Sequence, residues 1–218
     1  LADSANREGI NLTLSHGDLR GVIREVIRIA GYGDVKFRLT VPKATPDAPI
    51  ISVEPFPGYP RSLYTDGVRM TSSANSARHN AAAKDTRWMH AREALRGDTD
   101  AYEVLLLDAD GAMLEGTSSN FYAVKNDTLY TALEGVLAGT SRGIIFEVAP
   151  QVLPLVRRAL HVDDVSLLQE AFITSSSRGI VPVVQIDDTT LGDGKPGPYT
   201  RQLMTVYRAW VADHLETL

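Results

Sequence analysis

The alternation of apolar and polar positions in the first seventy residues predicts a small unit of helix and strands. Apolar residues recur at helical spacing across 20–31 and then alternate with polar residues across 34–42. Residues 50–54 and 63–70 predict two further strands, separated by a stretch rich in proline and glycine. The apolar side chains expected on one face of the helix are Val22, Ile23, Val26, Ile27 and Ile29. The order of these elements predicts an α+β unit.

The remaining residues predict a larger unit in which strands outnumber helices. A short polar segment within 71–80 predicts a linker and divides the chain into 1–72, a linker at 73–82, and 83–218. The predicted strands are 103–107, 112–114, 120–125, 128–131, 171–174 and 181–186. The predicted helices are 84–96, 142–160 with interruptions at Pro150 and Pro154, and 199–218. We therefore expect two domains.

Composition and charge exclude several classes of protein. The 218 residues carry a formal net charge of −5, whereas a nucleic-acid partner requires a basic face. The chain has no cysteine, which rules out disulfides and thiolate metal sites and fits a reducing cytoplasm. Its five histidines show no metal-ligand spacing. No apolar run approaches the ~20 residues of a membrane helix. We therefore expect a cytoplasmic protein that binds neither nucleic acid, membrane nor metal.

Two residues could carry covalent and acid–base chemistry. Lys84 follows three alanines, and small neighbours allow a planar ring to approach an amine whose pKa partial burial would lower. Glu115 ends a predicted strand and opens a polar run, 116–120, where a carboxylate could face a pyridine nitrogen. Taken alone, each residue is also compatible with a simpler role, Lys84 as a solvated surface lysine and Glu115 as a turn cap.

Two hydroxyl-rich segments come later in the chain. Thr140 and Ser141 precede a predicted helix, whose first amides suit a phosphate. Ser176 lies in a run of hydroxyl residues, 174–177, which could bind another side of the same phosphate. Each segment is equally compatible with a helix cap or a turn. Arg38, whose strand neighbours face the opposite side, could hold a substrate carboxylate or remain exposed.

In this order, an amine, a carboxylate and two phosphate-binding segments predict a pyridoxal 5'-phosphate site. The set resembles the class IV aminotransferase family, the fold-type IV enzymes that include branched-chain and D-amino-acid aminotransferases and aminodeoxychorismate lyase. The most specific segments are 115–121, 137–142 and 172–183. The resemblance implies an α+β fold with a small, N-terminally incomplete α/β domain, followed by a larger mixed β-barrel-like domain with helices. It also implies a homodimer.

The resemblance assigns a role to each candidate residue. Lys84 matches the Schiff-base lysine, and Glu115 matches the residue paired with the pyridine nitrogen. Residues 140–141 match the amides that hold the phosphate, and Ser176 matches the hydroxyl that also binds it. Arg38 falls where some members place an arginine near the substrate carboxylate.

The chain departs from the family pattern at two places. Members usually begin with some fifty more residues, so the chain is expected to lack part of the small domain and one phosphate ligand. The segment 85–88, Asp-Thr-Arg-Trp, replaces the glycine, asparagine and tyrosine pattern of the branched-chain enzymes. This difference argues against branched-chain specificity.

The expected function is a pyridoxal-phosphate-dependent aminotransferase that acts on an amino acid and a 2-oxo acid, with Lys84 as the catalytic residue. A lyase of the aminodeoxychorismate type needs the same residues and remains an alternative. A hydrolase that pairs Lys84 with Ser176 or Ser177 is a further alternative, although the sequence has no nucleophile elbow. A non-catalytic remnant is the last alternative.

Overall fold

A computed structural model of the chain describes residues 1–84, 86–97 and 99–217. The contacts within it form two compact units. The first unit comprises Leu1–Tyr59 together with the residues from Leu215 onward, and the second comprises Pro60–His214. The predicted linker, residues 73–82, lies within the second unit, and the predicted domain limits stay a prediction.

The first unit contains two helices and a two-stranded antiparallel sheet. Its elements are α1 (Ala2–Arg7), α2 (His16–Ala30), β1 (Val35–Thr40) and β2 (Ile50–Pro55). Helix α2 begins where the Ser15 hydroxyl accepts a hydrogen bond from the Asp18 amide, and it ends at Gly31, whose φ of 67° is left-handed. On this helix Leu19 and Ile23 are buried, whereas Ile29 is 70% exposed. The buried face is therefore narrower than the sequence predicts.

The second unit is built around a closed ring of six strands. Its strands are β3 (Val68–Ser73), β4 (Glu103–Leu107), β5 (Met113–Gly116), β6 (Ser119–Lys125), β7 (Thr128–Tyr130), β8 (Leu155–Val156), β9 (Glu170–Ser175), β10 (Gly179–Ile186) and β11 (Thr189–Thr190). Strand β9 pairs with both β6 and β10, which closes the ring β10-β3-β4-β5-β6-β9. The β10-β3 and β3-β4 pairs are parallel and the other pairs of the ring are antiparallel. The predicted barrel-like fold class is confirmed.

The helices of the second unit are α3 (Ser62–Thr65), α4 (Arg87–Arg96), α5 (Thr140–Val148) and α6 (Pro198–Asp213), with 3-10 helices at Ala149–Gln151 and Val162–Leu167. Helices α5 and α6 pack against the strands and contribute to a buried apolar cluster. In this cluster the rings of Tyr122 and Phe172 stack with centroids 4.6 Å apart, and Ile145 and Leu203 are fully buried. Burial of this apolar surface is the main stabilising contribution to the unit.

Two segments differ from the elements that the sequence predicts. Residues 63–70 were expected to form one strand, but a helical turn, α3, ends before Gly67, whose φ is 78°, and only then does β3 begin. The helix predicted across 142–160 ends at Val148 because Pro150 converts the next turn into a 3-10 helix. Residues 155–156 then form β8, which pairs with β7.

Candidate active site

A buried carboxylate, Glu115, lies at the end of β5. The residue is 2% exposed, and all four residues of this strand are buried. Its Oε2 atom accepts hydrogen bonds from the Leu137 amide at 2.9 Å and from Asn120 Nδ2 at 3.3 Å. Its Oε1 atom accepts one from Arg78 Nη1, also at 3.3 Å. Three donors from three separate segments therefore hold one carboxylate in place.

The buried environment of Glu115 favours the protonated form of its carboxyl group. Burial raises the pKa of the Glu115 carboxyl from its ordinary value of 4.5 to about 7. The Leu137 hydrogen bond and the positive charges of Arg78 and Arg142 act in the opposite direction and lower this pKa. The group can therefore change its charge near neutral pH, as groups in active sites often do.

Arg78 links Glu115 to the segment that contains Lys84. Its Nη2 atom donates to the Ala83 carbonyl oxygen at 2.9 Å, while its Nη1 atom donates to Glu115. The guanidinium lies 5.1 Å from the ring centre of Trp88, and the Trp88 indole donates to the Thr117 carbonyl oxygen at 2.7 Å. Both contacts attach the residues around Lys84 to the turn that follows Glu115.

Lys84 itself is exposed, in a loop between β3 and α4. The helix that the sequence predicts from residue 84 begins at Arg87. Asp85 lies outside the described residues. The ammonium of Lys84 is therefore carried by a loop whose neighbouring residue, Ala83, is completely buried.

The N-terminus of α5 approaches Glu115 from a second direction. The helix begins after Gly139, and no side chain caps its first amides. A side chain at Gly139 would be excluded, since a Cβ atom there would lie 2.4 Å from Asn120 Oδ1. Thr140 is exposed, whereas Ser141 is buried and its Oγ accepts a hydrogen bond from the Tyr207 hydroxyl at 2.9 Å. The segment thus presents uncapped amides and one exposed hydroxyl.

The turn between β9 and β10 carries Ser176 and contacts the turn that follows Glu115. Ser176 is exposed, and Arg178 in the same turn is largely buried. Arg178 forms an ion pair with Glu103 at 3.0 Å and donates to Ser118 Oγ at 2.9 Å. The carboxylate of Glu103 also accepts from the Ser118 amide and from the Ser119 hydroxyl, the latter at 2.8 Å. This network connects the Ser176 turn to the turn that follows Glu115.

The second unit therefore brings most of the predicted site residues to one connected region. Glu115 is bonded to Leu137, two residues before the cap of α5, and its strand partner Asn120 pairs with Thr174 in β9. Arg38 lies in the first unit, exposed on β1 opposite Ser52. Its predicted contact with a substrate carboxylate, like the roles of the other candidate residues, stays a prediction.

Sequence reasoning missed the charged residues that hold this region together. Arg78 lies in the segment predicted as a linker, and Glu103 is the first residue of a predicted strand. Arg178 follows the hydroxyl run but had no assigned role. A charged residue at the start of an otherwise apolar strand, as in Glu103-Val104-Leu105, is a signal that a buried partner exists.

Two further features of the described residues bear on function. No group of three or more His, Asp or Glu within 1–84, 86–97 and 99–217 is arranged to hold a metal ion. In the same part of the chain, each helix is too short or too polar to cross a membrane.

Comparison with known proteins identifies relatives along most of the chain. A D-alanine aminotransferase from Bacillus licheniformis is 26% identical over 230 residues, which cover 94% of this chain and 77% of that protein. A branched-chain-amino-acid aminotransferase from Pseudomonas aeruginosa is 30% identical over 118 residues, which cover 53% of this chain and 38% of that protein. Both relatives are aminotransferases, and they differ in the substrate that their names give.

The fold has close structural counterparts. The crystal structure of a branched-chain aminotransferase from the archaeon Thermoproteus uzoniensis with norvaline matches with a TM-score of 0.83 at 22% identity. The match covers 99% of this chain and 78% of that chain. At this identity the likeness establishes the fold alone.

The family model for amino-transferase class IV matches residues 1–186. The predicted family, fold class and enzyme class are thereby confirmed, and the comparisons support the predicted aminotransferase function. The chain belongs to the class IV aminotransferase family, whose members are pyridoxal-phosphate enzymes.

Proposed function

We propose that this aminotransferase holds pyridoxal 5'-phosphate through Lys84, Glu115, Ser176 and the start of α5, and transfers an amino group from an amino acid to a 2-oxo acid. The observation that carries the proposal is the buried carboxylate of Glu115. It lies in one connected region with the uncapped amides of α5, and Arg78 joins it to the loop of Lys84.

The bonding of Glu115 fits a pyridine nitrogen. A carboxylate has about four lone-pair positions, and the three donors named above occupy three of them. One position is left for an N–H of a ring. The raised pKa of Glu115 shows that this carboxyl lacks full compensation for burial, and a cationic ring N–H would supply it.

The two exposed hydroxyls fit a phosphate. Thr140 and Ser176 are exposed at the start of α5 and in the β9-β10 turn. The amides of residues 140–141 are uncapped at the positive end of a nine-residue helix. Anions bind well at such ends because amides point at the ligand and the helix dipole favours negative charge. The set of donors therefore suits the phosphate of the cofactor.

Each residue has a defined task in the proposed reaction. When bound, pyridoxal phosphate supplies an electron-accepting ring that stabilises negative charge on the substrate α-carbon. The Lys84 amine would hold the cofactor at Nζ, and as a free amine it would accept the substrate α-proton and return it. Glu115 keeps the ring nitrogen protonated, and residues 140–141 with Ser176 keep the phosphate in place.

The substrate side rests on the relatives. The names of the two sequence relatives given above specify D-alanine and branched-chain amino acids. We propose an amino acid as donor, a 2-oxo acid as acceptor, and Arg38 as a contact for the substrate carboxylate. A homodimer and a cytoplasmic location belong to the same proposal.

A donor screen with a lysine variant tests the proposal. The chain with added pyridoxal phosphate is incubated with D- and L-amino acids and a 2-oxo acid, and the new amino acid is quantified for the wild type, Lys84→Ala and Lys195→Ala. We expect turnover in the wild type and in Lys195→Ala, and none in Lys84→Ala. Normal turnover in Lys84→Ala would remove Lys84 from the reaction.

A further inference from the structure

We propose that Arg78 is a positioning residue of the site: it opposes protonation of the Glu115 carboxyl group and fixes this group relative to the backbone that carries Lys84. The inference rests on the proposed function, because it assigns Arg78 a task toward the two residues that would hold the cofactor. The sequence placed Arg78 in a polar segment, 71–80, and gave it no role.

The geometry of Arg78 supports a bridge between two segments. One nitrogen of its guanidinium donates to Glu115 Oε1 at 3.3 Å and another donates to the Ala83 carbonyl oxygen at 2.9 Å. The planar guanidinium fixes the angle between these two bonds. Because Ala83 directly precedes Lys84, the position of the carboxylate determines the position of the lysine backbone.

The bridge is buried, which gives its charge a large effect. The side chains of Arg78 and Glu115 are 8% and 3% exposed. Solvent screening of the pair is therefore weak, and removal of one partner would leave the other charge buried without compensation. An exposed pair such as Arg28 with Glu25 carries no comparable constraint.

Among the cations of the described residues, Arg78 donates a hydrogen bond to Glu115. The groups that face the carboxylate are Arg78, the neutral Asn120 amide and the Leu137 amide, with Arg142 as a second positive charge. Arg142 points elsewhere, since its Nη2 atom donates to the Ala132 carbonyl oxygen at 2.6 Å. The Leu137 hydrogen bond is the largest single effect that lowers the pKa of Glu115 against burial, and Arg78 follows with both its charge and its hydrogen bond.

Trp88 secures the other side of the lysine loop. Arg78 stacks over its indole ring at 5.1 Å, and the indole N–H donates to the Thr117 carbonyl oxygen at 2.7 Å. The loop of Lys84 is thus anchored before the lysine at Ala83 and after it at Trp88. Both anchors contact residues 115–117. The backbone on each side of Lys84 is therefore held next to the segment that carries the Glu115 carboxylate.

The experiment follows the ionisation of Glu115 directly. The carboxyl stretch of the cofactor-free chain is titrated by infrared difference spectroscopy, with Glu115→Gln to identify the band. We compare the wild type, Arg78→Met, Arg78→Lys and, as a matched control, Arg92→Met on α4. The midpoint should rise by at least about one pH unit in Arg78→Met. It should rise less in Arg78→Lys and stay unchanged in Arg92→Met.

A second readout concerns the position of the lysine. At limiting pyridoxal phosphate, borohydride should fix a smaller share of the cofactor on Lys84 in Arg78→Met than in the wild type, and Arg78→Lys should restore part of that share. An unchanged midpoint and an unchanged share in Arg78→Met would overturn the role of Arg78. If Arg78→Met does not fold, Arg78→Gln takes its place, and a wild-type midpoint together with a wild-type share on Lys84 in that variant would overturn the role instead.

The result also separates this inference from the proposed function. If the wild type binds no cofactor but the titration of Glu115 still depends on Arg78, the proposed function fails, and the control of Glu115 by Arg78 stands.

Discussion

Two buried ion pairs in the second unit have similar exposure and different bonding. Arg178 and Glu103 are 11% and 2% exposed and lie 3.0 Å apart, whereas Arg78 and Glu115 are 8% and 3% exposed and lie 3.3 Å apart. Arg178 makes five hydrogen bonds, one for each N–H of its guanidinium. Glu115 accepts three hydrogen bonds from the described residues, fewer than the roughly four that a carboxylate can accept, and its pKa is raised to about 7.

Under the proposed function, the difference separates a structural ion pair from one that faces the cofactor. The acceptors of Arg178 lie on residues 102–103, on Ser118 and on Ser175, so the pair joins three segments and has no donor left for a ligand. The carboxylate of Glu115 is held in place but incompletely compensated. Burial alone does not mark a functional site. Burial combined with an unused bonding position is a stronger indication of a functional site.

The largest effect is expected from breaking the saturated pair. Arg178→Met would leave Glu103 buried without its cation, and we expect the free energy of unfolding to fall by about 3–5 kcal/mol. Urea unfolding of the two proteins measures this difference. The double variant Glu103→Met with Arg178→Met should recover most of the loss, because neither charge then remains buried alone. A loss below about 1 kcal/mol in the single variant would contradict the structural role.

Breaking the pair of Arg78 and Glu115 should affect catalysis. Glu115→Gln removes the negative charge that would face the ring nitrogen, and we expect the rate of α-proton removal to fall about 100- to 1,000-fold. Cofactor should stay bound, and the free energy of unfolding should also fall, because the buried Arg78 loses its anionic partner. Single-turnover absorbance with an amino donor measures the step. An unchanged rate would remove Glu115 from the site.

A single added methyl group should perturb the turn that joins the two pairs. A Cβ atom at Gly116 would lie 2.4 Å from Ser119 Oγ and 2.5 Å from Glu103 Oε1. We expect Gly116→Ala to lower the free energy of unfolding by about 1–3 kcal/mol. Gly143→Ala is the matched control, because a Cβ atom added at Gly143, inside α5, would meet no atom within 4 Å beyond the backbone of its own helix. It should raise stability by about 0.5–1 kcal/mol. Equal effects of the two changes would contradict the close packing at Gly116.

The last expected effect is a dependence of stability on pH. The pKa of Glu115 is raised from 4.5 to about 7 in the folded chain, so the folded chain binds this proton more tightly than the unfolded chain. The stability that this group contributes is therefore present below pH 4.5 and is lost as the pH rises towards 7. Within this window the slope should approach about 1.4 kcal/mol per pH unit.

Chemical unfolding of the wild type and Glu115→Gln at several pH values measures this slope. The other titrating groups largely cancel when the two free energies are subtracted. A difference that stays constant between pH 4.5 and 7 would contradict the raised pKa.

The elements that carry the candidate residues could be predicted from the sequence. Alternation located β4 and β6 to within a residue, and the glycine and hydroxyl pattern placed the start of α5 near Thr140. Ring closure could not be derived from alternation, because the pairing of β9 with β6 and β10 joins residues far apart in the chain. Only the family resemblance implied a barrel.

The partners of the buried carboxylates could likewise not be predicted from the sequence. Glu103 and Arg178 are 75 residues apart, and Arg78 and Glu115 are 37 apart. Local propensity carries no information on contacts at such separations. The run of small residues, Ala81–Ala83, predicted a partly buried Lys84, but Lys84 is exposed and the burial falls on Ala81 and Ala83 instead.

The most direct test is to locate the cofactor on the chain. The wild type is mixed with pyridoxal phosphate, its visible absorption is recorded, borohydride is added, and the modified peptide is identified by mass spectrometry. We predict a visible absorption band that borohydride removes and a single adduct on the peptide that contains Lys84. The absence of a band, or an adduct on another lysine, would contradict the assignment of Lys84 as the cofactor-binding residue.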